Sequence, residues 1–237
     1  MKDSFWITVK KWIKENPHVW WALYLPVYGI LYLLVEHVVD GNSPYWSSWC
    51  PLDDKIPFLE YFVIAYCSWH FIMIGVGLYL MAKDGGAFRR YMKFIAATFT
   101  LSTLICFLIP NGQDLRPETF ERHNIFTALL SFIYSADTNT NVFPSVHVAG
   151  CLALCFTALD SEKLRKVRVP IIVWSILIIC STVFVKQHSI LDVFGAFALG
   201  LPVWIWLEIS KRREKVREER KKAEQQDWPA EEGDPAE

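Results

Sequence analysis

Six long apolar stretches dominate the sequence and limit the folds that the chain can adopt. A helix of roughly 18 to 20 apolar residues crosses the hydrocarbon core of a bilayer. The sequence therefore predicts an all-α polytopic membrane protein with six transmembrane helices. The fourth stretch is short and begins with polar residues, so its outer end should lie inside the protein. The stretches lie near 18–39, 57–82, 89–110, 144–159, 169–187 and 188–209.

The basic residues are unevenly distributed between these stretches. Twenty of the 24 Lys and Arg residues precede the first span, follow the last, or lie in the second and fourth connections. Cytoplasmic loops carry such an excess, so this pattern places both termini in the cytoplasm. We expect a multi-pass protein of the plasma (cytoplasmic) membrane. The four cations on the other, non-cytoplasmic side are Lys55, Arg116, Arg122 and Lys186.

Composition divides the chain into three parts. Residues 1–17 carry apolar side chains at helical spacing with lysines opposite, which predicts an amphipathic helix in the cytoplasmic interface. Residues 18–209 form the six-span domain, and 210–237 form a charged cytoplasmic tail with a disordered end. The formal net charge of −1 gives no reason to expect binding to nucleic acid. The partners expected for a chain with six apolar stretches are membrane lipids.

Two short motifs place a histidine at the start of an apolar stretch. His147 ends the sequence FPSVH, and His188 lies four residues before Asp192. On a helix, that spacing puts both side chains on one face, where the carboxylate can hold one ring nitrogen and leave the other free as a nucleophile. His147 could supply the matching acid. Ionisable groups at the ends of membrane spans are costly, so the pattern favours a functional site.

These motifs together resemble the type 2 phosphatidic acid phosphatase family, the membrane relatives of the vanadium haloperoxidases. Members carry Lys-x6-Arg-Pro, then Pro-Ser-Gly-His, then Ser-Arg-x5-His-x3-Asp. The motifs here fall after span 3 and at the heads of spans 4 and 6, as in six-span members. The matching residues are Arg116-Pro117, then Pro144-Ser145-Val146-His147, then Ser181-Thr182 with His188 and Asp192.

The resemblance implies an enzyme that transfers phosphate through a phosphohistidine. His188 would attack the phosphorus of a lipid phosphate, Asp192 would orient it, and His147 would protonate the leaving alkoxide. Arg116 and Ser145 would bind the phosphate oxygens. The site would face the non-cytoplasmic side and need no cofactor and no metal ion. The predicted function is a lipid phosphatase, in chemical terms a phosphoric monoester hydrolase or phosphotransferase.

Three motif positions depart from the family pattern. Strict spacing puts Ile109 in place of lysine, Val146 in place of glycine and Thr182 in place of arginine. Lys186 and Arg122 are the nearby cations that we expect to substitute for the two missing ones.

Motifs that lack two of the cationic phosphate-binding residues look similar to those of the branch that contains the inositol phosphorylceramide synthases. Those enzymes transfer a headgroup to a lipid alcohol. That transferase is the first alternative. A transporter or scaffold, with the His188–Asp192 pair as a proton relay or structural contact, is the second. An intramembrane serine protease at Ser145 ranks last, because no nucleophile turn surrounds that serine.

Overall fold

The computed structural model describes residues 2–39 and 44–226, and it is mostly helical. Short 3₁₀ helices, Pro17–Leu23 and Glu60–Phe62, lead into the second and third α-helices. Two short strands, β1 (Trp46–Ser47) and β2 (Asn111–Gly112), pair in parallel. The α-helices are α1 (Lys2–Glu15), α2 (Tyr24–Val38), α3 (Val63–Lys83), α4 (Gly85–Leu108), α5 (Ile125–Ala136), α6 (Val146–Asp160), α7 (Arg168–Phe184) and α8 (Ile190–Gln226).

Four helical segments in the described part of the chain are long and apolar enough to cross a membrane. They match the first, second, third and sixth predicted spans. The fourth and fifth predicted spans correspond to α6 and α7, which are apolar but only 15 and 17 residues long. Six spans with both termini in the cytoplasm thus stay a prediction. The four segments are Pro17–Val38, Glu60–Lys83, Gly85–Leu108 and Ile190–Ala223.

The core forms around α4 and α6, which pack against each other and against α8. Small residues let α6 approach its neighbours closely, a common device between membrane helices. Gly150 shows why: a β-carbon there would lie 2.7 Å from the indole ring of Trp69 on α3. Most of α6 is buried as a result, so the residues at its beginning are held inside the protein.

The basic connections meet at one end of the helix bundle. The Arg90 guanidinium donates to the Asp160 carboxylate at 2.7 Å, and the Lys211 ammonium pairs with the same carboxylate. The Ser161 hydroxyl donates to Asp84 at 2.7 Å. These contacts join the α3–α4 and α6–α7 connections to α8. The two motif histidines lie at the other ends of α6 and α8.

The helix α8 is continuous from Ile190 to Gln226. The boundary that we set at 209/210 is therefore a change of composition within one helix. Residues of the predicted interfacial helix form the helix α1, and its place in the cytoplasmic interface stays a prediction. The predicted disorder of the tail falls on 227–237, which lie outside the described residues.

Candidate active site

His188 and Asp192 are in contact, as their spacing predicted, but the geometry differs from the prediction. His188 precedes α8, Ser189 caps it, and Asp192 is its third residue. The Oδ2 atom of Asp192 accepts a hydrogen bond from the Ser189 N–H at 2.9 Å and lies 3.1 Å from Nδ1 of His188. The Ser189 hydroxyl oxygen accepts from the Leu191 N–H at 3.1 Å, as the side chain of an N-cap residue does. Helix capping, rather than a shared helix face, brings the pair together.

The ring of His147 lies next to that of His188. It is the second residue of α6, and the centres of the two imidazole rings are 5.6 Å apart. Tyr66 and Trp69 of α3 flank the ring of His147 at 4.7 Å and 4.5 Å. The Nδ1 atom of His147 is buried and has no hydrogen-bond partner in the described part of the chain. A buried polar atom without a partner is unusual, and at an enzyme site it suggests a place for a ligand or a proton.

Ser145 joins the beginning of α6 to the beginning of α8. Its hydroxyl oxygen accepts from the Val148 N–H at 3.4 Å, and its own N–H donates to the carbonyl oxygen of Asp192 at 3.2 Å. Ser145 is therefore a helix cap, and it is fully buried. The N-terminal ends of two helices meet at the histidines, and such ends favour a negatively charged ligand.

Arg116 lies beside the turn that carries His188. Its guanidinium donates to the carbonyl oxygens of Asp137 at 2.8 Å and Thr138 at 2.7 Å, and to the side-chain oxygen of Gln187 at 2.5 Å. Two buried donors remain without a partner among the described residues, namely Nε of Arg116 and Nε2 of Gln187. The oxygens of a bound anion would satisfy them.

Asp137 lies close to Arg116 and responds to its charge. Burial raises the pKa of the Asp137 carboxyl above its usual value, and the nearby guanidinium opposes that rise.

The two cations predicted to replace the missing anchors hold loops instead. The Lys186 ammonium donates to the carbonyl oxygens of Asp53 at 2.9 Å and Ile56 at 2.7 Å. The Arg122 guanidinium forms an ion pair with Glu60, with Nε and Oε1 3.3 Å apart. These contacts give no support to a role for either cation at the phosphate. Lys186 also has a φ of 52°, in the left-handed region.

Asp53 is a buried residue of this site that the sequence analysis missed. Its Oδ1 accepts from the Ile190 N–H at 2.8 Å, and its Oδ2 accepts from the Ser189 hydroxyl at 2.7 Å and the Cys50 N–H at 2.9 Å. It thus holds the first turn of α8 next to His188. Asp53 and Ser189 are 136 residues apart in sequence, so no spacing within a motif predicts their contact.

Three segments that are distant in sequence hold the turn between α7 and α8. Besides the Asp53 contacts, the side-chain amide of Gln113 donates to the carbonyl oxygen of Lys186 at 3.1 Å. The hydroxyl of Tyr134, on α5, donates to the carbonyl oxygen of Val185 at 2.6 Å. Such a support keeps the His188 ring in one orientation, as a catalytic group requires.

We expect Asp53→Asn to destabilise the protein. The amide nitrogen would face donors that now bond a carboxylate oxygen, at a cost of about 2–3 kcal/mol, or about 5–10 °C in unfolding midpoint. Thermal unfolding of the purified protein measures this loss. Asp54→Asn is the matched control, because Asp54 is exposed and its Oδ1 accepts from the indole N–H of Trp49, a bond that the amide keeps. Equal midpoints for the two variants would contradict the role of Asp53.

Comparison with known proteins finds one informative similarity. No family model matches the chain, and no solved structure matches it. Among curated proteins, the chain is similar to the undecaprenyl-diphosphatase BcrC of Bacillus subtilis (strain 168). The two are 25% identical over 151 residues, which cover 63% of this chain and 70% of that protein. The helical membrane protein described here is thus similar to a phosphatase, in coarse agreement with the resemblance of its motifs.

Proposed function

We propose that this protein is an integral membrane phosphatase that removes phosphate from a lipid phosphate. The reaction takes place on the non-cytoplasmic side of the membrane, through a phosphohistidine and without a metal ion. One observation carries the proposal: two imidazole rings lie 5.6 Å apart, one held by a carboxylate and the other with a buried nitrogen that has no partner among the described residues. This is the arrangement that a nucleophile and its acid partner need.

In the first step, His188 acts as the nucleophile. The Asp192 carboxylate accepts a hydrogen bond from the Nδ1–H group of His188, so the lone pair of Nε2 is free to attack phosphorus. The bond between phosphorus and the lipid oxygen breaks as the bond to nitrogen forms. His147 gives a proton to the departing oxygen, and the carboxylate of Asp192 stabilises the positive ring of His188.

Donors near the two histidines stabilise the charge on the phosphoryl oxygens. The unpaired N–H groups of Arg116 and Gln187 and the first backbone N–H groups of α6 are the donors in this proposal. The Ser145 hydroxyl adds another, because its oxygen accepts the capping bond while its proton stays available. Donors that are already in place need no reorganisation when the negative charge develops.

In the second step, water removes the phosphoryl group from His188. His147, now neutral, takes a proton from the attacking water, and inorganic phosphate leaves. A lipid alcohol in place of water would make the enzyme a headgroup transferase, as in the inositol phosphorylceramide synthase-like branch. Similarity to a diphosphatase favours water as the acceptor. It also favours a phosphate or diphosphate of a long-chain lipid as the substrate class.

The test is a substrate screen with purified protein in EDTA. A panel of lipid monophosphates and diphosphates is supplied with and without a lipid alcohol, and the products are identified by mass spectrometry. We expect free phosphate and the dephosphorylated lipid, with inhibition by vanadate, which mimics five-coordinate phosphorus. A new phospholipid without free phosphate would identify the transferase instead. No reaction with any lipid of the panel would refute the proposal.

A further inference from the structure

A buried carboxylate outside the candidate active site has an oxygen without a partner. Glu60 begins the short 3₁₀ helix that leads into α3, and only 1% of its surface is exposed. Its Oε2 atom is buried and has no hydrogen-bond partner among the residues that the structure describes. Leaving a buried acceptor unpaired is costly, most of all when the group is charged. The atom therefore indicates a site for a donor that the described residues do not supply.

The other oxygen of this carboxylate is held by two groups. Oε1 of Glu60 accepts a hydrogen bond from the side-chain amide of Asn124 at 3.2 Å and lies 3.3 Å from Nε of Arg122. Asn124 is itself fixed, because its Oδ1 accepts from the N–H groups of Phe126 and Thr127 at the beginning of α5. The Glu60 carboxylate is therefore held in one orientation, with one oxygen paired and the other left open.

Glu60 lines a polar cavity of about 310 Å³. Glu121 and Arg122 also line it, so the cavity contains two carboxylates and one guanidinium, with a formal charge of −1. Pro117, the residue after Arg116, forms another part of the lining. None of the lining residues is a group that the proposed reaction uses. The cavity is thus a second site, next to the loop of the first.

The chemistry of the lining favours a primary ammonium group. The ligand of Oε2 has to donate a hydrogen bond, and the negative charge of the lining attracts a cation. The described residues include no group of three or more His, Cys, Asp or Glu side chains that could hold a metal ion. An ammonium group needs only acceptors, and Thr119 in the lining can add its hydroxyl oxygen. The stacked rings of Phe58 and Phe120, 5.7 Å apart, can contact the carbon atoms beside the nitrogen.

We propose that this cavity binds a primary ammonium group, which donates an N–H to Oε2 of Glu60. Glu121 strengthens the attraction, and Arg122 stays paired with Oε1. The inference is independent of the proposed phosphatase function, because it concerns other residues and is tested by binding alone. A free amine and the headgroup of an aminophospholipid both carry the group that the cavity would recognise.

The test measures thermal unfolding of the purified full chain in detergent. Ethanolamine hydrochloride is compared with tetramethylammonium chloride at the same concentration and pH. Both are organic cations, but tetramethylammonium has no N–H group to donate. We expect ethanolamine at a hundredfold excess over its dissociation constant to raise the unfolding midpoint by about 5 °C or more, and tetramethylammonium to leave it unchanged. Equal midpoints with the two cations, as when the cavity holds only water, would overturn the proposal.

Variants of three glutamates locate the binding. Glu60→Gln should abolish the shift, whereas Glu118→Gln should keep it, because Glu118 is an exposed residue of the same loop outside the lining. Glu121→Gln keeps the test decisive if Glu60→Gln does not fold, since Glu121 is exposed. We expect it to weaken ethanolamine binding by about threefold. A wild-type shift in Glu60→Gln, or wild-type affinity in Glu121→Gln if the first variant is unfolded, would contradict the site.

Nanodiscs distinguish the two sources of the ammonium group. The protein is released from nanodiscs of equal parts phosphatidylethanolamine and phosphatidylcholine, and native mass spectrometry identifies the lipid that it retains. Phosphatidylcholine serves as the control because its nitrogen has no N–H. Retention of phosphatidylethanolamine by the wild type but not by Glu60→Gln would support the site with a lipid headgroup as its ligand. An ethanolamine shift without retained lipid would support the site with a free amine.

Discussion

Replacing His188 by alanine is expected to lower phosphate release from a lipid phosphate by a factor of about 10⁴ or more. The side chain that forms the bond to phosphorus is then missing, and the remaining donors can only bind the substrate. The rate of release by purified protein in EDTA measures this effect. In the wild-type enzyme, rapid quenching in base should preserve a phosphorylated peptide that contains His188, and mass spectrometry should identify it.

The control for this variant is His123→Ala, which removes an exposed histidine of the outer loop. It should retain the wild-type rate. If His188→Ala keeps more than about a hundredth of the activity, or if the phosphoryl group is found on another residue, the proposed nucleophile is wrong. A transporter or scaffold would show no phosphorylated histidine at all.

His147→Gln is expected to slow the hydrolysis of a lipid phosphate by about 10²- to 10⁴-fold, because the alkoxide must leave without a proton. An aryl phosphate should escape most of that loss in the first step, since a nitrophenolate leaves without protonation. The second step still needs His147 to activate water. A burst of nitrophenolate followed by slow turnover is therefore the expected signature, and stopped-flow absorbance measures it.

The burst separates an acid–base role from a structural one. His147 packs between Tyr66 and Trp69, so a purely structural residue would slow both steps for every substrate alike. Glutamine retains much of the volume between those rings. His188→Ala should give no burst with the aryl phosphate. A His147→Gln variant without a burst, but folded and able to bind vanadate, would contradict the acid role.

The sequence was most informative where a contact is local. The spacing of His188 and Asp192 predicted their contact, and the structure contains it. The cause of the contact differs from the predicted one, a shared helix face. Ser189 caps α8, and its N–H group holds the Asp192 carboxylate near His188, the residue before the cap. A serine followed three residues later by an acid is a capping signal that could have been recognised from the sequence.

Contacts between distant loops could not be predicted in the same way. Two of the three donors to the Asp53 carboxylate belong to Ser189 and Ile190, more than 130 residues further along the chain, so nothing near Asp53 in sequence marks its role at α8. The cations Lys186 and Arg122 looked available because their partners, backbone carbonyls and the buried Glu60, are not visible in a motif. A count of charged residues along a sequence overestimates the number of charged side chains that remain unpaired after folding.

Helix length also limits the sequence-based account. Apolar stretches near 144–159 and 169–187 predicted two spans, and the helices α6 and α7 cover nearly the same residues, but their 15 and 17 residues leave the crossing of a membrane a prediction. At its beginning, α6 gives way to the buried cap of Ser145 instead of extending further. Hydropathy measures where apolar residues lie, whereas the ends of a helix depend on which groups satisfy its terminal donors.

The turn that carries His188 is braced from several directions. Because Asp53, Gln113 and Tyr134 all bond to it or to its neighbours, displacing it would require several of these bonds to break together. A ligand that binds beside this turn therefore meets a surface whose shape is set in advance, and little free energy is spent on rearranging it.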